Sequence, residues 1–221
     1  MMTRRMNLKS AATFSRRLLL GLALGAGVAL ATPGLAPQAN AASESAQKIA
    51  DHFASVSTMS GEFVQFGPRG EQTGGKFYIQ RPGKIRFNYD KSSGYQVISD
   101  GKSVVIDNKK LNTMDLYPLS KTPLKLLLDK RIDLSGSQVK SVKEEADLTT
   151  IQLADKSVFG NSRITMMFDP KSYELRQWTI TDAQGKDTTV MIFNVKEGVK
   201  IDQGLFKVDY QRNLEVNANK K

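Results

Sequence analysis

From Gly61 onward the chain repeats one pattern: short runs in which apolar and polar residues alternate, each run closed by a turn residue. Phe63 and Gln65 alternate with Glu62, Val64 and Phe66, and Phe77 and Ile79 alternate with Lys76 and Tyr78. After Pro82-Gly83, Ile85, Phe87 and Tyr89 share one face while Lys84, Arg86 and Asn88 share the other. Successive side chains of a strand point to opposite faces, so such runs predict half-buried strands. Tyr95–Ser99 and Ser103–Asp107 meet at Asp100-Gly101, a dipeptide that tolerates positive φ and predicts a hairpin. Strand patterns return at Val139–Lys143, Thr149–Leu153, Arg163–Phe168, Glu174–Thr181 and Thr188–Val195, with Asp169-Pro170, Gly185 and Gly198 in the connections. Strands at this spacing predict a mainly β, α+β domain whose sheet curls into a barrel or part of one.

Two segments break the period. In Ser45–Val56, Ile49, Phe53 and Val56 lie at i, i+4 and i+7, while Lys48, Asp51 and Ser55 face away, the pattern of an amphipathic helix. At Thr122-Pro123 a hydroxyl suited to capping precedes a proline at the first helical position, and Leu124, Leu126, Leu127 and Leu128 follow. The expectation is a short, very apolar helix capped by Thr122. No repeat, low-complexity linker or change of composition interrupts residues 42–221, which are expected to form one domain.

The first 41 residues are of another kind. A basic start, an apolar run from Leu18 to Ala31 and a small-residue site at Ala39-Asn40-Ala41 predict a secretion signal over residues 1–41, cleaved after Ala41. The run is diluted by Gly21, Gly25 and Gly27, is followed by Pro33, and falls short of the roughly 20 residues a membrane-spanning helix needs. Ser15-Arg16-Arg17-Leu18-Leu19-Leu20 resembles a twin-arginine export signal, but paired arginines occur in ordinary signals too, so both routes stay open. The leader carries five bases, Arg4, Arg5, Lys9, Arg16 and Arg17, and no acid, so removing it takes the formal charge from +10 to +5. That surface favours anionic membranes or acidic partners. Without a basic stripe or a reader motif, nucleic acid is not expected as a partner. With no cysteine there are no disulfides, no thiolate metal site and no residue to acylate as a lipoprotein anchor. A domain of about 180 residues buries roughly 70% of its unfolded surface, enough to hold together on its core in the periplasm.

Catalytic chemistry is hard to find. His52 is the one histidine, set on the predicted first helix with no second histidine to share a metal, and no G-x-S-x-G elbow or phosphate-cradling loop occurs. Glu144-Glu145 and Asp107 could in principle pair for acid-base work, but adjacent strand carboxylates point to opposite faces and turn aspartates serve the backbone. Lys109-Lys110 and Lys130-Arg131 sit beside apolar segments, where such pairs could dock a membrane or partner but more often keep an exposed edge soluble. No catalytic residue, metal site or cofactor is expected.

Phe63-x-Gln65 after an N-terminal helix, Gly75-x-Phe77 leading into Arg81-Pro82-Gly83-Lys84-Ile85-Arg86-Phe87, then Ile98-Ser99-Asp100-Gly101-Lys102, and Thr122-Pro123-Leu124 before a leucine helix follow one another in order. Their order and spacing resemble the LolA family of periplasmic lipoprotein carriers over essentially all of residues 42–221. The resemblance implies an incomplete, half-open antiparallel β-barrel with lid helices covering an apolar cavity for lipoprotein acyl chains. It implies acylated lipoproteins as cargo, an inner-membrane lipoprotein-releasing ABC transporter as donor and a LolB-like or other outer-membrane acceptor, itself a lipoprotein, a role the missing cysteine argues against for this chain. It further implies that Arg81, the arginine of the family's Arg-Pro motif, latches the lid by hydrogen bonds to backbone near Leu127 and Leu128. Phe77, Ile79, Ile85, Phe87, Tyr89, Leu124 and Trp178 are the expected cavity lining. Ile85 stands where the family often has a larger aromatic, and Phe206–Tyr210 lacks the proline common there, which leaves cargo identity and handover open.

The leading expectation is thus a monomeric, non-catalytic carrier. A periplasmic regulator of the RseB type shares the half-barrel and binds an anti-sigma factor, but carries a further C-terminal domain for which this chain is short. A hydrolase lacks a nucleophile and base, and a carrier of another amphiphilic lipid stays open, because an apolar cavity distinguishes chains by only about 1 to 3 kcal/mol per methylene.

Overall fold

The computed structural model describes residues 43–218. The leader expected over residues 1–41, with its cleavage site, lies outside the described residues. Eleven strands form one antiparallel sheet: β1 (Thr58–Phe66), β2 (Gln72–Gln80), β3 (Lys84–Tyr89), β4 (Tyr95–Asp100), β5 (Ser103–Asn108), β6 (Thr113–Pro118), β7 (Val139–Glu144), β8 (Thr149–Leu153), β9 (Arg163–Phe168), β10 (Leu175–Thr181) and β11 (Asp187–Glu197). Their order is β6-β5-β4-β3-β2-β1-β11-β10-β9-β8-β7. The chain enters mid-sheet, meanders to one edge at β6, crosses to the other edge at β7 and meanders back until β11 pairs with β1. The two edges are therefore consecutive in sequence and unpaired with each other, which leaves the barrel incomplete. The segment that links the two edges carries the leucine helix.

Helix α1 (Glu44–Ser55) starts at Ser43, whose hydroxyl accepts the Ala46 N–H, and buries Ala46, Ile49, Ala50, Phe53 and Ala54. The side chain of Gln47 donates to Ile132 O at 3.0 Å and accepts the Leu134 N–H at 3.0 Å, tying α1 to the crossing segment. The second helix, α2 (Leu124–Leu127), is a single turn, and the expected Thr122 cap is absent. Instead the Thr122 hydroxyl donates back to Leu119 O at 3.0 Å. The N–H groups it could have capped are already used, Lys125 N–H on Thr122 O and Leu126 N–H on Pro123 O, because the preceding Leu119–Lys121 turn winds the chain tightly into α2.

Sequence periodicity missed β6, the one-turn helix α3 (Lys156–Phe159) and the C-terminal helix α4 (Tyr210–Ala218). Helix α4 lies on the outer face of the sheet, where Val216 joins Ile98, Val105, Met114 and Val208 in a small apolar cluster. At the start of β10, Leu175 pairs with Phe168 and Gln177 with Met167, so Arg176 is an extra residue. That bulge lets Leu175 and Trp178, three apart, both face the core.

Candidate functional site

The inner face of the sheet, α1 and α2 share one continuous apolar cluster that includes Ile49, Phe53, Phe63, Phe77, Ile79, Ile85, Phe87, Leu124, Leu127, Leu128 and Trp178. Of the expected cavity residues, Phe77, Ile79, Ile85, Phe87, Leu124 and Trp178 are buried here, and Tyr89 is half-buried at the margin. Their rings interlock: Phe63 meets Phe87 edge-on at 4.7 Å and Tyr89 at 5.0 Å, and Phe87 lies 6.0 Å from Trp178. These side chains pack against one another and against α1 and α2.

Arg81 sits at the seam between sheet and helices, only 8% exposed. Its Nη1 donates to Val56 O, at the C-terminal end of α1, at 2.7 Å, and its Nη2 to Leu127 O, in α2, at 3.4 Å. The guanidinium carbon stands 4.0 Å above the centre of the Phe53 ring, a cation–π contact. One arginine thus touches both helical segments. The arrangement is also costly, since Arg81 Nε is buried without a hydrogen-bond partner. Burial pulls the guanidinium pKa down to about 10, with the Glu197 carboxylate acting the other way. The group stays charged at neutral pH, so its burial carries a desolvation cost that these contacts only partly offset.

A second tether flanks Pro82 on its other side: Gly83 N–H donates to Leu128 O at 3.0 Å, and Gly83 O accepts the Ser99 hydroxyl at 2.7 Å. Gly83 has φ +80°, and a Cβ there would lie 2.8 Å from Gly101 Cα, so this approach requires glycine. Val56, Phe53 and Gly83 were not among the residues expected from sequence to act here. The Pro82-Gly83 dipeptide marked the turn, but nothing local announces that its free N–H reaches a carbonyl so far along the chain.

At the margin the Tyr89 hydroxyl donates to Gln65 Oε1 at 2.6 Å, and burial pushes its pKa well above the ordinary tyrosine value. His52 is exposed, its ring edge-on to Tyr173 at 5.7 Å, and among the described residues no three His, Asp or Glu side chains gather as metal ligands. Glu144 accepts the Ser45 hydroxyl, joining the start of α1 to edge strand β7. Asp107 is buried on the outer face, accepting from Gln96 Nε2 at 2.6 Å and pairing with Arg212 of α4 at 3.2 Å. Lys110 Nζ donates to Ser92 O, and the guanidinium of Arg131 stands 4.0 Å from Asp51, so one member of each basic pair is engaged within the fold. The inner face offers apolar contact with a few hydrogen bonds at its seam and margin.

The family described as outer membrane lipoprotein carrier protein LolA matches residues 54–209. An outer-membrane lipoprotein carrier protein of Methylococcus capsulatus is 26% identical over 196 residues, covering 85% of this chain and 93% of that protein. One from Leptothrix cholodnii is 31% identical over 137 residues, 60% of this chain and 63% of that protein. Among solved structures, a LolA superfamily protein of Nitrosomonas europaea superposes with a TM-score of 0.40 at 8% identity, covering 74% of this chain and 98% of that one.

Proposed function

This chain belongs to the LolA family of outer membrane lipoprotein carrier proteins, and from that premise we propose that it is a periplasmic chaperone for lipoprotein acyl chains. It takes cargo from an inner-membrane ABC transporter, shields the chains between the inner face of the sheet and the α1 and α2 lid, and passes them to an outer-membrane acceptor, without catalysis or a cofactor. The observation that carries the reading is Arg81, a buried charge bonded to both lid segments over a mostly apolar face. In a protein whose inner face served stability alone, an apolar side chain would fill this seam at lower cost.

The energies suit reversible loading. Hydrogen bonds from a charged donor contribute about 1.5–3 kcal/mol each, and the long bond to Leu127, the unpartnered Nε and desolvation all reduce the sum. An acyl chain gains about 0.8 kcal/mol per methylene buried, so burying ten contributes roughly 8 kcal/mol and opens such a latch. Closure returns part of that energy at release, which matters for a carrier without its own ATP. The test is displacement of an apolar fluorescent probe by a triacylated lipopeptide and by its unacylated counterpart. Selective displacement by the acylated form is expected; equal displacement, or none, refutes acyl-chain carriage.

A further inference from the structure

The lid covers only part of the inner face. On β4 and β5, Val97 and Val104 face the main core, whereas Ile98 and Val105 face outward under α4 with Met114 and Leu116 of β6. Alternation therefore places Tyr95, Ile106, Asp115 and Tyr117 on the inner side. Register joins four apolar residues in a row across the strands: Phe77 opposite Phe87, Phe87 opposite Val97, and Val97 opposite Ile106. Exposure climbs along it, from 0% at Phe77 and 5% at Phe87, through half-buried Val97, to 38% at Ile106. Tyr117, 46% exposed, pairs with Val104 beside the row, and Tyr95, 43% exposed, stands 6.3 Å from Tyr89. Asp115, opposite Ile106, is the polar end of the row.

We propose that this exposed end, Tyr95, Ile106 and Tyr117, is a staging site where one acyl chain docks while the lid is still closed, before it advances along the row toward Phe87 and Phe77. The inference rests on the carrier reading and adds an order of events to it. Three strand spacings separate Phe77 from Ile106, about 14 Å, comparable to the length of a fatty acyl chain. The row is continuous with the apolar cluster under the lid, so a chain lying on Ile106 is already aligned with its final path. The flanking tyrosines present an apolar ring with a polar tip, the chemistry of the boundary between an acyl chain and its ester headgroup. Docking there needs no bond of Arg81 to break, so it is accessible in the closed state.

The chain has no cysteine and one tryptophan, which gives two clean reporters. A bimane label on Ile106→Cys reports the staging site, and the fluorescence of buried Trp178 reports the core. On rapid mixing of the full-length protein with a triacylated lipopeptide, the bimane emission should shift blue in a concentration-dependent first phase and Trp178 should change in a slower second phase. In the otherwise unaltered protein, Ile106→Asp should slow the Trp178 phase about tenfold. Simultaneous signals, Trp178 responding first, or an unchanged rate in Ile106→Asp overturns staging while carriage stands. No Trp178 response and no bound lipopeptide refutes carriage itself, and staging with it.

Discussion

Replacing Arg81 with leucine tests the latch most directly. The substitution removes the bonds to Val56 O at 2.7 Å and Leu127 O at 3.4 Å and the cation–π contact with Phe53 at 4.0 Å. The short bond contributes about 2 kcal/mol, the long one about 1 or less, and the ring contact about 1. Against this, leucine removes the desolvated charge and the unpartnered Nε, worth about 2 kcal/mol in the opposite direction. The closed state should lose about 2 kcal/mol relative to the open state, a shift of roughly thirtyfold. Lipid reaches the core beneath the lid only after opening, so affinity for a fully seated triacylated lipopeptide should rise by a comparable factor, until the open state dominates. Release to acceptor vesicles should slow correspondingly. Native-state hydrogen exchange gives an independent measure, because the amide of Leu128 bonds within the lid at 3.2 Å and should exchange faster in Arg81→Leu. Unchanged affinity, unchanged release and unchanged lid exchange together would show that Arg81 is packing rather than a latch.

Gly83→Ala introduces a Cβ 2.8 Å from Gly101 Cα at φ +80° and should cost about 1–3 kcal/mol, read from the urea midpoint, and should speed lid exchange by loosening the bond to Leu128 O. Asp107→Ala leaves Arg212 and Gln96 without their buried acceptor and should cost about 2–4 kcal/mol; a loss below about 0.5 kcal/mol in chemical denaturation would show that the Asp107–Arg212 pair does not hold α4. Asp169 accepts N–H groups from Ser172 and Lys171 and pairs with Arg176 at 3.0 Å, which holds its carboxyl well below the ordinary range. A lowered folded-state pKa stabilises the fold above the unfolded-state value near 4 and loses that contribution as pH falls below it. Asp169→Ala should therefore be less stable than the parent at pH 7, with the difference shrinking in urea titrations below pH 4.

Much of this architecture is determined by local pattern, and the reasons are physical. Period-two alternation places Ile85, Phe87 and Tyr89 on one face whatever the rest of the chain does, and Asp100-Gly101 turns the chain because glycine accepts φ +100° there. The run of β6 went unread although Met114 and Leu116 alternate with Thr113, Asp115 and Tyr117, because Asp115 and Tyr117 stay exposed and the apolar pair finds its cover only under α4. The pattern was silent on α4, whose single buried residue, Val216, is too little for a helical stripe. Thr122 misled because a capping hydroxyl and a hydroxyl bonded back to the preceding turn share one local sequence.

What only the tertiary structure decided is who meets whom. The sequence by itself determines that Arg81 lies beside a turn on a mostly apolar face, and the family resemblance nominated Leu127 and Leu128 as its neighbours. That Arg81 also binds Val56 O and stacks on Phe53, that Gly83 holds Leu128 O, and that an apolar row runs from Phe77 to Ile106 depend on contacts between residues far apart in the chain. Residue spacing along a strand decides which face a side chain takes, but strand order and register decide its neighbours. Those follow from burying all eleven strands against one core at once, a global condition that no short segment contains.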